Sequence, residues 1–214
     1  MELPDRLASL YSSAVYDILR RRGLPDQVLP PQLRPLDPAT AVAGPVFTLS
    51  GGSDEQIGDH DSLLLWTEFL GAPPPGSVVI CQPNDRSVAH MGELSAETLK
   101  LRGIRGYIVD GGCRDASFLL ELGFPVWSRY QTPRDIVGRW AVRGLGEPIE
   151  IGGVAIRSQD YVLADRDGVV VIPGEIVAEV VEEAESVVST ENLVRKAILS
   201  GVEPQAAYLQ YGKF

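Results

Sequence analysis

"GELSAETLKLRGIRGYIVDGGCRD", residues 92–115, places a helix signal, a strand signal and a glycine turn one after another. Its spacing predicts a helix over 93–102, an apolar strand over 106–110, a turn, and a second helix over 116–122. Just upstream, Ser77-Val78-Val79-Ile80-Cys81 reads as another apolar strand, entered from the Pro73-Pro74-Pro75-Gly76 turn. Alternating strands and helices of this kind predict a mixed α/β core with a partly parallel sheet. An acid, Glu93, stands at the entry of the first helix, and a basic–acidic pair, Arg114-Asp115, follows the turn. These charges either meet in a site or merely cap two helices.

Outward from this stretch the chain keeps the same alternation for a while. Leu7, Leu10, Tyr11, Ala14, Val15, Ile18 and Leu19 form a helical stripe over 4–22, with Gly23 as its stop. A proline-punctuated connector over 25–38 leads to a strand over 41–49, which Gly51-Gly52 should end. Asp59 or Asp61 is placed to cap a helix running through Leu63, Leu64, Trp66 and Phe69. Beyond Phe124 the texture changes to short β runs at 124–128, 137–143, 148–157, 160–164 and 168–172. After Pro173 a helix is expected to about Ser200, burying Val177, Val180, Val181, Ala184, Val187 and Val188 on one face.

The chain has 214 residues, 44% of them hydrophobic, enough for one sizeable domain. A net charge of −10 argues against nucleic-acid binding, which needs a concentrated basic face. The one dense basic cluster, Arg20-Arg21-Arg22, closes a predicted helix, where cations suit the dipole. Two histidines, His60 and His90, are too few for a multi-histidine zinc site. Cys81 and Cys113 lack metal-type spacing and read as reduced thiols. With MELPDRLASL read as a helix entry and no apolar run of membrane length, a cytoplasmic protein without membrane partners is expected.

In "DGGCRD" the glycines permit positive φ and a close approach of backbone to ligand. They lie at the carboxyl end of a buried strand, where open α/β sheets bind ligands, and the next helix's first amides favour anions. Arg114 can hold a carboxylate with two parallel hydrogen bonds. Asp115 can ligate a hard divalent cation or serve as an N-cap, and Glu93 suits a helix's first turn for dipole reasons alone. Singly, none of the three marks a site.

Jointly they are more specific. Gly92-Glu93-Leu94, then Arg114-Asp115 after twenty residues that follow Glu93, resembles the acid-x20-Arg-Asp signature of the class II pyruvate aldolases. These are the 4-hydroxy-4-methyl-2-oxoglutarate/4-carboxy-4-hydroxy-2-oxoadipate aldolases, whose superfamily includes the regulator of ribonuclease activity A (RraA). "SAVYDILRRRG", "LRPLDPATAVAGPVFTL", "LGFPVWSRYQTP", "PIEIGGVAI" and "DYVLADRDGVVVIP" resemble further family segments, so the likeness runs from about Ala14 to Pro173.

The resemblance implies a compact α/β/β/α domain over 1–173 and a C-terminal helical arm over 174–214 that packs on a neighbouring subunit. It implies trimers or hexamers with active sites between subunits. Asp115 matches the acid that binds Mg²⁺ or Mn²⁺ directly, and Glu93 the acid that holds it through water. Arg114 matches the arginine contacting a 2-oxo acid, and the amides around Leu94 and Ser95, after Gly92, the loop receiving its carboxylate. A further acid, reaching the metal through water, comes from the neighbour's C-terminal helix; Glu191 is its match and Glu185 the fallback. "RSQDYVLADRDG" lacks the usual Pro-Gly turn, and Glu97 stands where relatives carry a small or apolar residue, adding charge near the mouth.

The activity implied is a metal-dependent lyase that cleaves 4-hydroxy-2-oxo acids to pyruvate by retro-aldol reaction and decarboxylates oxaloacetate. Each reaction develops charge on a ketone oxygen that a cation stabilises. No lysine stands out as a Schiff-base nucleophile, and Cys113 has no histidine nearby in sequence to activate it. His90, three residues before Glu93, reads as a packed or surface histidine, with a proton shuttle as the alternative. The alternative is a non-catalytic regulator of the RraA kind that binds a ribonuclease or helicase.

Overall fold

The structure, a computed structural model, describes residues 1–213. Seven α-helices are α1 Leu3–Ala8, α2 Ser12–Arg21, α3 Asp59–Gly71, α4 Glu93–Leu101, α5 Ala116–Leu122, α6 Val177–Leu199 and α7 Pro204–Tyr211. The strands are β1 Arg34–Pro35, β2 Val42–Ser53, β3 Val78–Gln82, β4 Gly106–Val109, β5 Gly112–Cys113, β6 Val126–Ser128 and β7 Tyr130–Gln131. They continue with β8 Trp140–Leu145, β9 Ile149–Ile151, β10 Val154–Ile156, β11 Tyr161–Ala164 and β12 Val169–Ile172.

The main sheet runs β1-β6-β4-β3-β2-β11-β12, and β8 also pairs with β2. Its centre is parallel, β2 with β3, β3 with β4 and β4 with β6, while β11 and β12 join antiparallel. Alternation along the strands sorts side chains into three cores. Val79 and Cys81 of β3 and Tyr107 and Val109 of β4 face Trp66, Phe69, Leu99 and Leu119 from α3, α4 and α5. Val78, Ile80 and Ile108 point the other way, onto Val162, Ala164, Val169 and Val171 of β11 and β12. The opposite face of those two strands, through Leu163, Val170 and Ile172, packs on α1, α2 and α6. The sheet therefore curls over itself, giving helices, two β layers and helices, the α/β/β/α order expected.

Several element bounds differ from the sequence expectation, each for a local reason. The 4–22 stripe is two helices, because Asp165 reaches back to accept hydrogen bonds from Ser12 N–H and Oγ at 2.8 Å each and starts α2 afresh. β2 passes through Gly51-Gly52 with a bulge; a Cβ on Gly51 would sit 1.8 Å from Trp140 Cζ2, so the glycine admits that indole rather than ending the strand. The 148–157 run folds into the β9–β10 hairpin at Gly152 and Gly153, both at positive φ. In α3 neither Asp59 nor Asp61 caps through its side chain; both lie in the first turn after Gly58. The first half of α6, through Val177, Val180, Val181 and Ala184, belongs to the chain's own third core.

Candidate active site

The turn after β4 is built by crowding. A Cβ on Gly111 would lie 2.8 Å from His90 Nδ1, and one on Gly112 would lie 2.5 Å from Tyr130 Cε2 and 2.8 Å from the Val88 carbonyl. Neither glycine has positive φ, so they are there for close approach to the chain's own side chains, not for a left-handed turn. The left-handed residue is Asp115, at φ 56° and ψ 37°, a conformation that Asp tolerates better than most residues. Asp115 makes no side-chain cap on its own helix α5. Its Oδ2 instead accepts the Glu93 N–H at 3.1 Å, across twenty-two positions of chain, at the start of α4.

Arg114 is fixed at both ends. Its N–H donates to the Met91 carbonyl at 2.9 Å, while Nε lies 3.4 Å from Asp115 Oδ2 and Nη1 lies 3.4 Å from Asp135 Oδ2. Gly92 permits this assembly, since a Cβ there would meet Asp115 Oδ2 at 2.7 Å and Arg114 Cγ at 3.0 Å. In α4 the Ala96 N–H turns back to Gly92 O, and the amides of Leu94 and Ser95 make no backbone bond among the described residues. Two free amides thus face out where the helix dipole is positive.

Gly92, Glu93, Leu94, Ser95, Arg114 and Asp115 all line one cleft of about 420 Å³. Asp135 also lines it, a residue missed from sequence, although "PRD" at 133–135 repeats the Arg-Asp pair of the first turn. Leu63, Trp66 and Leu70 of α3 and Ile136 and Val137 form the apolar remainder. Glu97, expected near the mouth, is exposed and lies outside the lining, because it is on the solvent side of α4.

Glu191 and Glu185 do not line this cleft. Tyr11 Oη donates to Glu191 Oε2, Lys213 Nζ lies 3.5 Å from Oε1, and this acid borders a separate groove beside α6. Burial, then the hydrogen bond to Glu191, pushes the Tyr11 phenol up to about 12. Glu185 takes two hydrogen bonds from Arg6, at 2.8 and 2.7 Å.

Neither alternative reactive group is poised. The Cys113 thiol is buried 3.3 Å from Ser128 Oγ, and burial pushes its pKa up, away from thiolate. His90 forms the cleft's floor yet is fully buried, edge-on to Trp140, with neither ring nitrogen hydrogen-bonded. Burial depresses it to about 4, despite Asp85 Oδ1 at 3.6 Å from Nε2, so it is neutral at pH 7.

Asp115, Glu93 and Asp135 are the carboxylates that share the cleft with Arg114, and no group of three side chains placed to hold one metal ion occurs among the described residues. Such a sparse set of carboxylates, all hard oxygen donors, would fit Mg²⁺ or Mn²⁺, which keep waters and take substrate oxygens. It does not fit a closed zinc site.

The chain is similar to several known proteins. A relative from Halalkalibacterium halodurans, provisionally named a 4-hydroxy-4-methyl-2-oxoglutarate aldolase, is 30% identical over 181 residues, 83% of this chain and 81% of its own. An uncharacterised protein from Pseudomonas syringae pv. tomato superposes with TM-score 0.86 at 26% identity, covering 98% of this chain and 93% of that one. RraAS2 of Streptomyces coelicolor, described as an unusual member of the RNase ES inhibitor RraA family, gives TM-score 0.80 at 27% identity over 91% and 96% of the two chains. The model of the RraA-like family, Aldolase/RraA, matches residues 12–171, and the chain belongs to that family.

Proposed function

We propose that the chain is a divalent-metal-dependent lyase that cleaves 4-hydroxy-2-oxo acids to pyruvate by retro-aldol reaction and decarboxylates oxaloacetate. The observation that carries this reading is the meeting of Arg114, Asp115, Glu93 and two free helix amides in one cleft. Mg²⁺ or Mn²⁺, held by Asp115 directly and by Glu93 through water, would supply a Lewis acid for the charge that develops on the 2-oxo oxygen. Arg114 presents a planar fork to the C1 carboxylate, which can take two parallel hydrogen bonds from it. The Leu94 and Ser95 amides receive the same carboxylate. Asp115, locked by the Glu93 N–H, holds its remaining oxygen at a fixed place and so limits reorganisation.

A cytoplasmic trimer or hexamer would let the second half of α6 lend Glu191, or else Glu185, to a neighbour's cleft. The rival reading, a regulator that binds a ribonuclease or helicase, draws on the description of the Streptomyces neighbour. Pyruvate release from 4-hydroxy-4-methyl-2-oxoglutarate and oxaloacetate, measured with Mg²⁺, Mn²⁺ or EDTA, decides between them. Cation-dependent release supports the lyase; no release from either substrate, with inhibition of a ribonuclease, supports the regulator. Full turnover in excess EDTA removes the metal from the proposal.

A further inference from the structure

Between β3 and α4 the chain crosses residues 83–92, and both halves of that loop are tied down. The first half is held to β2 and β8. Trp140 Nε1 donates to the Pro83 carbonyl at 2.7 Å, and Asn84, at φ 50°, donates from Nδ2 to the Gly51 carbonyl at 2.9 Å. The second half is held to the candidate site. The Ala89 N–H donates to the Arg134 carbonyl and the His90 N–H to the Gly112 carbonyl, each at 2.8 Å. The Met91 carbonyl accepts the Arg114 N–H at 2.9 Å. Arg134 precedes Asp135, whose Oδ2 lies 3.4 Å from Arg114 Nη1. The backbone of Arg114 thus rests on Met91, and the acid beside its guanidinium follows a residue bonded to Ala89.

Asp85 stands between the two halves. Its Oδ1 accepts the Ser87 and Val88 N–H groups at 2.8 and 3.0 Å, and its Oδ2 accepts the Ser87 and Ser53 hydroxyls at 2.9 Å each. Burial raises such a carboxyl, but here the donors from Ser87, Val88 and Ser53 outweigh it and hold Asp85 down to about 2. The side chain is 8% exposed, and His90 Nε2, otherwise without a partner, lies 3.6 Å from its Oδ1. A carboxylate so fully engaged fixes the turn of the loop around it. Asp85 is not among the residues lining the cleft.

Resting on the lyase reading above, we propose that Asp85 is a positioning residue. By fixing the turn over 85–88 it sets residues 89–91, and through them the place of Arg114 against the carboxylate of a 2-oxo acid. A guanidinium that must meet a planar carboxylate with two parallel bonds tolerates little displacement. Loss of the Asp85 turn therefore costs ligand binding without removing any group that touches the ligand. Every bond of this network lies within one chain, so the support is the same whatever a neighbouring subunit adds to the cleft.

Two readouts test it, the first free of any substrate. Amide hydrogen exchange is followed by NMR in wild type, Asp85→Ala and Asp85→Asn. Asn keeps an acceptor for the two N–H groups, and the Ser53 and Ser87 hydroxyls can turn to accept from its amide. Exchange at the His90 and Arg114 amides should quicken at least about tenfold in Asp85→Ala and stay within about threefold of wild type in Asp85→Asn. The second readout is calorimetry with pyruvate in saturating Mg²⁺. Affinity should fall at least about tenfold in Asp85→Ala and return to within about threefold of wild type in Asp85→Asn. In an Arg114→Lys background, where the fork is already gone, Asp85→Ala should cost no more than about twofold, whereas a merely slackened loop would cost the same in both backgrounds. Ser87→Ala, which takes one hydroxyl from Oδ2 and leaves both N–H bonds, covers the case in which Asp85→Ala does not fold; it should quicken exchange at Arg114 about threefold. Exchange at Arg114 unmoved by these substitutions, or an equal loss of affinity in both backgrounds, overturns the proposal and leaves the lyase standing. Faster exchange as expected, with no pyruvate bound by wild type, overturns the lyase and leaves Asp85 as the residue that places Arg114.

Discussion

Asp115 carries two jobs that one substitution separates. Its left-handed backbone and its bond to the Glu93 N–H are structural, while its charge is what a cation needs. Asn tolerates the same backbone and still accepts the hydrogen bond. Asp115→Asn should therefore melt close to wild type, yet lose at least about a hundredfold in kcat/KM, several kcal/mol of transition-state stabilisation. A large drop in melting temperature with activity kept would make Asp115 a cap and nothing more. His90 gives a second test at this scale. Its folded pKa of about 4 lies below the unfolded value, so between pH 6.5 and 4 the unfolded chain binds a proton that the folded chain refuses. Stability from this group is complete above pH 6.5 and falls as the pH drops through that window, by about 3 kcal/mol at its end. Urea unfolding at pH 7 and pH 5 should show the loss, and His90→Leu should flatten it; a flat wild type would mean the imidazole finds a partner. Of these residues, Arg114 and Asp115 were legible as cleft residues only through the family resemblance that their distance from Glu93 helps to carry. Asp135 was not, because what makes it a neighbour is the path of the loop after β7.

At the scale of elements, the site depends on how closely the β4–α5 turn approaches the start of α4. Gly92 is the residue that permits it, at φ −152°, which any residue can adopt. Gly92→Ala should therefore leave folding nearly unchanged and push Asp115 and Arg114 off the helix end, where its Cβ would meet them at 2.7 and 3.0 Å. A fall of tenfold or more in kcat/KM, at about 1.4 kcal/mol per decade, with a melting temperature near wild type is the expected pair of results. Unchanged kinetics would show that the two side chains need not meet α4. The elements that local periodicity defines, α4, α5, β3 and β4, came out of the sequence nearly intact. The break between α1 and α2 did not, since Asp165, which makes it, is 153 residues away from Ser12. Likewise Gly51 reads locally as a stop, and only Trp140 packed on it explains why the strand goes on.

At the scale of the molecule, the two β layers were legible only through family resemblance. Runs such as Val169–Ile172 are apolar on both faces, so their pattern cannot say which layer they join. The position of Glu191 raises the question of assembly. Within one chain it is held by Tyr11 and Lys213, outside the cleft. If a neighbour uses it, inactive Asp115→Ala and inactive Glu191→Ala chains should complement each other once subunits exchange. Recovery should reach about a quarter of wild type when exchange is random and sites are independent. No recovery despite proven exchange, or a fully active Glu191→Ala chain, would remove Glu191 from the site.

The two thiols sit at different depths of the same structure. Cys81 lies mid-sheet on β3, where burial pushes it up to about 12, and Cys113 lies in the turn that carries Arg114. A thiol reagent reaches the first only when the sheet comes apart, and the second already when the turn lifts. Their two labelling rates form an internal clock, one hand timing the whole molecule and the other timing the cleft.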